Sequence, residues 1–145
     1  MVDHINGKVV EIAGEKMLIQ HWDVDKQLEI LAWLTKNFGE GVLNLFMDGG
    51  DVEDYLPEME QDADGKMSKE TMKSMADFVT KIFDKLSPKD YAYYAKYIVS
   101  GVKHKGTHNL DVNKVFRGNM VALHALIFQV LRYQYSDFLA ESIDQ

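Results

Sequence analysis

The chain begins with short apolar runs and then changes to a helical period. Val9, Val10 and Ile12, followed by Leu18 and Ile19, suit a half-buried pleated surface and predict strands over Lys8–Ile12 and Met17–Trp22. Ala13-Gly14-Glu15-Lys16 lies between them, and Gly14 can supply the positive φ that a tight hairpin turn needs. Asp23 or Asp25 then offers a carboxylate to cap a helix. Leu28, Leu31, Phe38, Val42 and Leu45 recur at helical spacing, with Ile30, Trp33 and Leu34 widening the apolar face. Gly39 and Gly41 mark a kink or split, and Asp48-Gly49-Gly50 a stop.

A second helix starts at the cap Ser68 and carries Met72, Met75, Phe78, Val79, Ile82 and Phe83. Ser87-Pro88-Lys89-Asp90 starts a third: a capping hydroxyl, a proline at the first helical position, and an acid in the positive end of the dipole. That helix holds Tyr91, Tyr94, Ala95 and Ile98, with Val102 beyond. The short break before it predicts antiparallel packing on its predecessor. Residues 106–113 are polar, with Leu110 and Val112 alternating, and read as a short strand or plain loop. Last comes the turn Phe116-Arg117-Gly118 and a helix-length segment that is apolar on nearly every side. Between Met120 and Leu131 only His124 and Gln129 are polar. Gln129, Arg132 and Ser136, with Ala125, form its narrow polar stripe, which places it at the centre of the fold. Such a helix must be covered, by its own domain or by another protein.

The pattern predicts an α-dominant α+β fold: an N-terminal β-hairpin (about 8–22), then four or five packed helices (24–143) interrupted by an acidic loop (48–66). The whole chain, 1–145, reads as one domain. The apolar run of the last helix stops at Arg132, too short for a membrane span of about 20 residues. No secretory leader is read at the N-terminus, where Asp3 stands and no long apolar run follows.

Charge and chemistry change this picture little. The net charge is −7, and Asp48, Asp51, Glu53, Asp54, Glu58, Glu60, Asp62 and Asp64 together exceed it, so the rest of the chain is close to neutral. Lys103-His104-Lys105 is the local basic cluster and no stacking aromatics interleave it, which disfavours nucleic acid as a partner. With no cysteine there is neither a disulfide framework nor a thiolate zinc site. A calcium loop read from Glu60 places Gly65 correctly but puts Thr71 where a bidentate carboxylate is needed. His104 and His108 have ligand spacing, yet Gly106 and Thr107 between them oppose a helix. His124 reads as a core imidazole bonded to a backbone carbonyl. No phosphate-cradling glycine loop or nucleophile elbow is present, so no catalytic, cofactor or metal site is expected. Tyr93 and Tyr97 share one face of their helix, and Tyr91, Tyr94 and Ile98 another. One face suits the core and the other a partner.

The β start ending in Trp22, the helix closing on Phe38-Gly39, the polar insert, two middle helices, and the end Phe116-Arg117-Gly118 … Tyr135-Ser136-Asp137-Phe138 together resemble the tail assembly chaperones of long-tailed bacteriophages. The residues that carry this motif are Phe116, Gly118, Tyr135, Asp137 and Phe138. The resemblance implies a non-enzymatic role in the host cell cytoplasm, keeping the tape measure protein soluble during tail assembly. It also implies a longer frameshifted product that contacts the tail tube protein; this chain would be the short product. A homo-oligomer is compatible with it, and neither membrane nor nucleic acid is implied. The partner surface is read as Trp33, Phe38, Tyr93 and Tyr97, with Met120, Leu123, Ile127 and Leu131 along the last helix. Eight methionines, among them Met72, Met75 and Met120, suit an adaptable apolar contact or core filling equally. Two other readings stand beside it. One is a small acidic inhibitor or adaptor that uses the Asp48–Asp64 segment as a nucleic-acid mimic; the weaker is a small hydrolase or metal enzyme.

Overall fold

The computed structural model describes residues 7–39, 68–105 and 108–144, with the backbone alone described from 136 onward. Strands β1 (Gly7–Ile12) and β2 (Glu15–Gln20) pair antiparallel, with Val9 opposite Leu18 and Ile12 opposite Glu15. The turn is therefore two residues, tighter than the four-residue stretch expected. Ala13 and Gly14 both have positive φ, 58° and 77°, the signature of a type I′ turn. Gly14 adopts this without strain, whereas a Cβ at position 13 costs about 1 kcal/mol. Ala13→Asn should thus raise stability by about 0.5–1 kcal/mol, read as a higher urea midpoint with an unchanged slope.

Val10, Ile12, Met17 and Ile19 are buried on one face of the hairpin. The sheet continues through β3 (Lys103–His104) and β4 (His108–Asn109) in the order β1-β2-β3-β4. The two histidines stand opposite each other in this short strand pair. His104 Nε2 lies 2.7 Å from Glu15 Oε1.

Asp23 caps α1 (Val24–Phe38), accepting from the Lys26 amide, and Asp25 sits in its first turn. The helix ends at Phe38 because Gly39 turns the chain with φ 88°. Its core face centres on Ile30 and Leu34, while Leu28, expected on that face, is exposed. Ser68 caps α2 (Lys69–Phe83), and Ser87, with Pro88 behind it, caps α3 (Pro88–Val99). A single-turn helix, α4 (Val112–Val115), precedes α5 (Met120–Asp144). Asn119 caps α5 by accepting from the Ala122 amide at 3.2 Å.

The cover of α5 is its own fold. Every residue from Ala122 to Leu131 is buried, chiefly against α2, then α3 and β1. The expected pairing of α2 with α3 is minor, because both pack on α5 instead. Of the polar stripe, Ala125 and Gln129 are buried, the Gln129 amide 3.6 Å from Met75 Sδ, and Arg132 is half-buried. The expected continuation of the first helix to Val42 and Leu45, the glycine stop, the acidic loop and its calcium-like stretch lie outside the described residues.

Candidate partner-binding groove

An open groove of about 610 Å³ lies where α3, α4 and the start of α5 meet. Tyr91, Ala95, Phe116 and Leu123 supply apolar lining. Pro88 and Ala92 line it from the first turns of α3, and Val112 and Met120 line it from the other two segments. Met120 is 57% exposed, so its flexible thioether is free to follow the shape of an occupant. Val121 beside it is exposed as well. Asp84, Lys96 and Arg117 give the groove its charged lining.

The sequence builds this groove through two local devices. Gly118, with φ 77°, turns the chain between Phe116 and α5, so that Phe116 is buried while Met120 remains at the surface. The second device is a polar tie. His124 Nδ1 lies 2.8 Å from Met120 O, and its Nε2 lies 2.6 Å from the Tyr91 hydroxyl. A carbonyl only accepts, so Nδ1 carries the proton and Tyr91 donates to Nε2. Burial pushes the Tyr91 hydroxyl pKa up, which keeps that proton available. The tie fixes α3 to α5 across the groove floor. The imidazole bonded to a backbone carbonyl is the arrangement the sequence suggested.

The residues assigned to a partner surface divide into separate places. Met120 and Leu123 line the groove beside the motif residues Phe116 and Gly118. Ile127 and Leu131 are fully buried in the core. Their assignment to a partner surface is corrected: α2, α3 and β1 already enclose that part of the helix. Trp33 and Phe38 are half-buried; Trp33 stacks on Tyr94 at 3.9 Å, and Phe38 lies parallel to Phe83 at 6.0 Å. Tyr93 is exposed and stacks on Tyr97 at 5.7 Å, whose hydroxyl donates to Glu29 at 2.8 Å. That bond, with burial second, pushes the Tyr97 pKa up to about 12.

The motif residue Tyr135 is buried, donates to Gln27 O at 2.9 Å and meets Trp22 edge-on. Burial drives its pKa far upward. Asp137 and Phe138 fall within α5, but their side chains lie outside the described residues.

Two residues the sequence reading passed over hold these parts together. Gln134, buried one residue before Tyr135, accepts from the Trp22 amide at 2.9 Å and donates to Gln20 O at 2.8 Å. Its signal was a second glutamine in a helix already flagged as apolar. Lys26 donates to Tyr97 O at 2.8 Å and to Ser100 Oγ at 2.9 Å. It satisfies the C-terminal end of α3 and lies over the rings of Trp22 and Tyr97. Burial lowers its pKa against the pull of Asp23 and Glu29.

Among the described residues no group of three His, Asp or Glu gathers as a metal site, and no helix is long and apolar enough to cross a membrane. Fold and groove together define a small, mostly helical α+β protein with an open apolar surface. A family model described as phage tail assembly chaperone protein, TAC, matches residues 13–144, and the chain belongs to that family. Neither a curated protein nor a solved structure matches it.

Proposed function

We propose that this chaperone binds the tape measure protein and keeps it soluble in the host cytoplasm while the tail forms, without bond-making chemistry of its own. The groove at Met120 carries the reading. A long helical chain waiting for its tube exposes apolar stripes that aggregate unless covered. An open cleft lined mainly by carbon suits one such stripe laid along it. The exposed methionine at its edge lets the same cleft accept successive stripes of differing shape. Any contact with the tube protein belongs, on this reading, to a longer frameshifted product. The segment on which the adaptor alternative depends lies outside the described residues, and family membership favours tail assembly.

The test is co-expression with a tape measure fragment. Ala92 and Met120 both line the groove and are both exposed, so aspartates there leave the core intact. The double variant A92D/M120D places two carboxylates where an apolar stripe would sit. Capture should weaken by about 2 kcal/mol or more, roughly 30-fold. The soluble tape measure fraction should fall while the circular dichroism of the variant matches the parent. Undiminished solubility would remove the groove from the reading.

A further inference from the structure

We infer that β1 is a homodimer strand: two copies pair antiparallel along the outer edges of β1, with Val9 facing its twin across the two-fold axis. The inference rests on the hairpin and is independent of the groove.

β1 stands at the end of the sheet order, and its outer edge pairs with nothing among the described residues. Which groups point outward follows from the turn. In a two-residue hairpin the flanking residues, here Ile12 and Glu15, exchange both backbone hydrogen bonds. Alternation then directs Lys8, Val10 and Ile12 toward β2, and Gly7, Val9 and Glu11 toward the free edge.

An edge of this kind is normally blunted by a bulge, a proline or a very short strand. Charged side chains serve the same end, and β1 carries Lys8 and Glu11, but it has no bulge or proline and runs six residues, Gly7–Ile12, in unbroken register with β2. At its middle Val9 is 54% exposed.

A second copy completes this edge in one register. A two-fold axis normal to the sheet keeps the buried faces of both hairpins on the same side, so residues that meet must share a face. Centring the axis on Val9 sets Val9 against Val9 and Gly7 against Glu11 of the other copy. All the outward groups of the strand are then used in hydrogen-bonded pairs. The neighbouring register, centred on Val10, leaves Gly7 unpaired and puts Val9 opposite Glu11. In the Val9 register Lys8 meets Val10, so no like charges stand opposite each other. The exposed valines cover one another, and the faces carrying Val10 and Ile12 become continuous across the axis.

Sedimentation velocity of the full chain over a concentration series should show a monomer–dimer equilibrium. Val9→Lys sets two ammonium groups face to face, and Val9→Pro removes an outward N–H without touching the β1–β2 ladder. Each should weaken the dimer about tenfold or more and leave the circular dichroism unchanged. The chain has no cysteine, so Val9→Cys gives a single thiol. Hydrogen-bonded partners lie about 5.5 Å apart at Cα with their Cβ atoms wider than a disulfide closes easily, a gap that a short bis-maleimide spans. A short bis-maleimide should therefore link V9C into dimers, while Leu28→Cys, on the exposed side of α1, stays monomeric. A parent chain monomeric at every concentration overturns the inference. So does a dimer that V9K and V9P leave intact, or V9C that the bis-maleimide links no faster than L28C.

Discussion

Gln134→Ala should lower folding stability by about 2–5 kcal/mol, although Gln134 is polar and its removal empties little apolar volume. The effect comes from what it leaves behind. Beyond the short pairing of β2 with β3, no strand among the described residues lies beside the Trp22 amide and the Gln20 carbonyl on that side of β2. The Gln134 side chain takes that strand's place, with Oε1 accepting from Trp22 and Nε2 donating to Gln20. Removing the amide orphans a backbone donor and an acceptor in a buried place, at about 1–3 kcal/mol each. Gln134→Glu should fall between: the carboxylate still accepts from Trp22 but faces the Gln20 carbonyl without a proton to give. Urea melts rank the three proteins, and hydrogen exchange at the Trp22 amide should accelerate most in the alanine variant. A Q134A protein as stable as the parent would show that the amide is a passenger.

This contact explains why the strand end at Trp22 and the helix end at Tyr135 belong to one pattern. Gln27 Nε2 also approaches Gln134, and Tyr135 donates to Gln27 O. Trp22 packs edge-on against Tyr135. The hairpin exit, the first turn of α1 and the later turns of α5 are thereby locked together. Tyr135 thus acts in the described structure as an internal clasp.

Local signals in the chain carried local structure. Ser68, Ser87 and Pro88 mark helix starts because a capping hydroxyl or a fixed φ acts within one turn. Gly14 marked the hairpin for the same reason. The central place of α5 was legible because its polar positions are too few to make a wet face. What covers it was not, since periodicity gives the direction of a face and never its partner. Leu28 fits the apolar repeat of α1 and is nevertheless exposed, while Ile30 and Leu34 turn inward. The groove was illegible for a related reason. It joins residues from Asp84 to His124, and only the packing of α3 against α5 brings Tyr91 to His124. Ile127 and Leu131 were assigned to a partner because an apolar helix looks the same from the sequence whichever surface encloses it.

Phe128→Ala decides between those two enclosures. Phe128 is fully buried on the middle of α5 and meets Phe78 of α2 edge-to-face, with centroids 5.5 Å apart. Truncation removes the ring and its aromatic contact and leaves a cavity between the helices, at about 3–5 kcal/mol. Met120→Ala, two turns earlier on the same helix and mostly exposed, should change stability by about 0.5 kcal/mol or less. Partner capture should respond in the opposite order. At temperatures where F128A remains folded it should solubilise tape measure fragments as the parent does, whereas M120A should bind them more weakly. The helix then divides its work by position, with Met120 and Leu123 turned to the groove and the turns from Ala125 to Leu131 serving the chain's own core. An F128A protein of parental stability that no longer held its partner would reverse this assignment and return the middle of α5 to the binding surface.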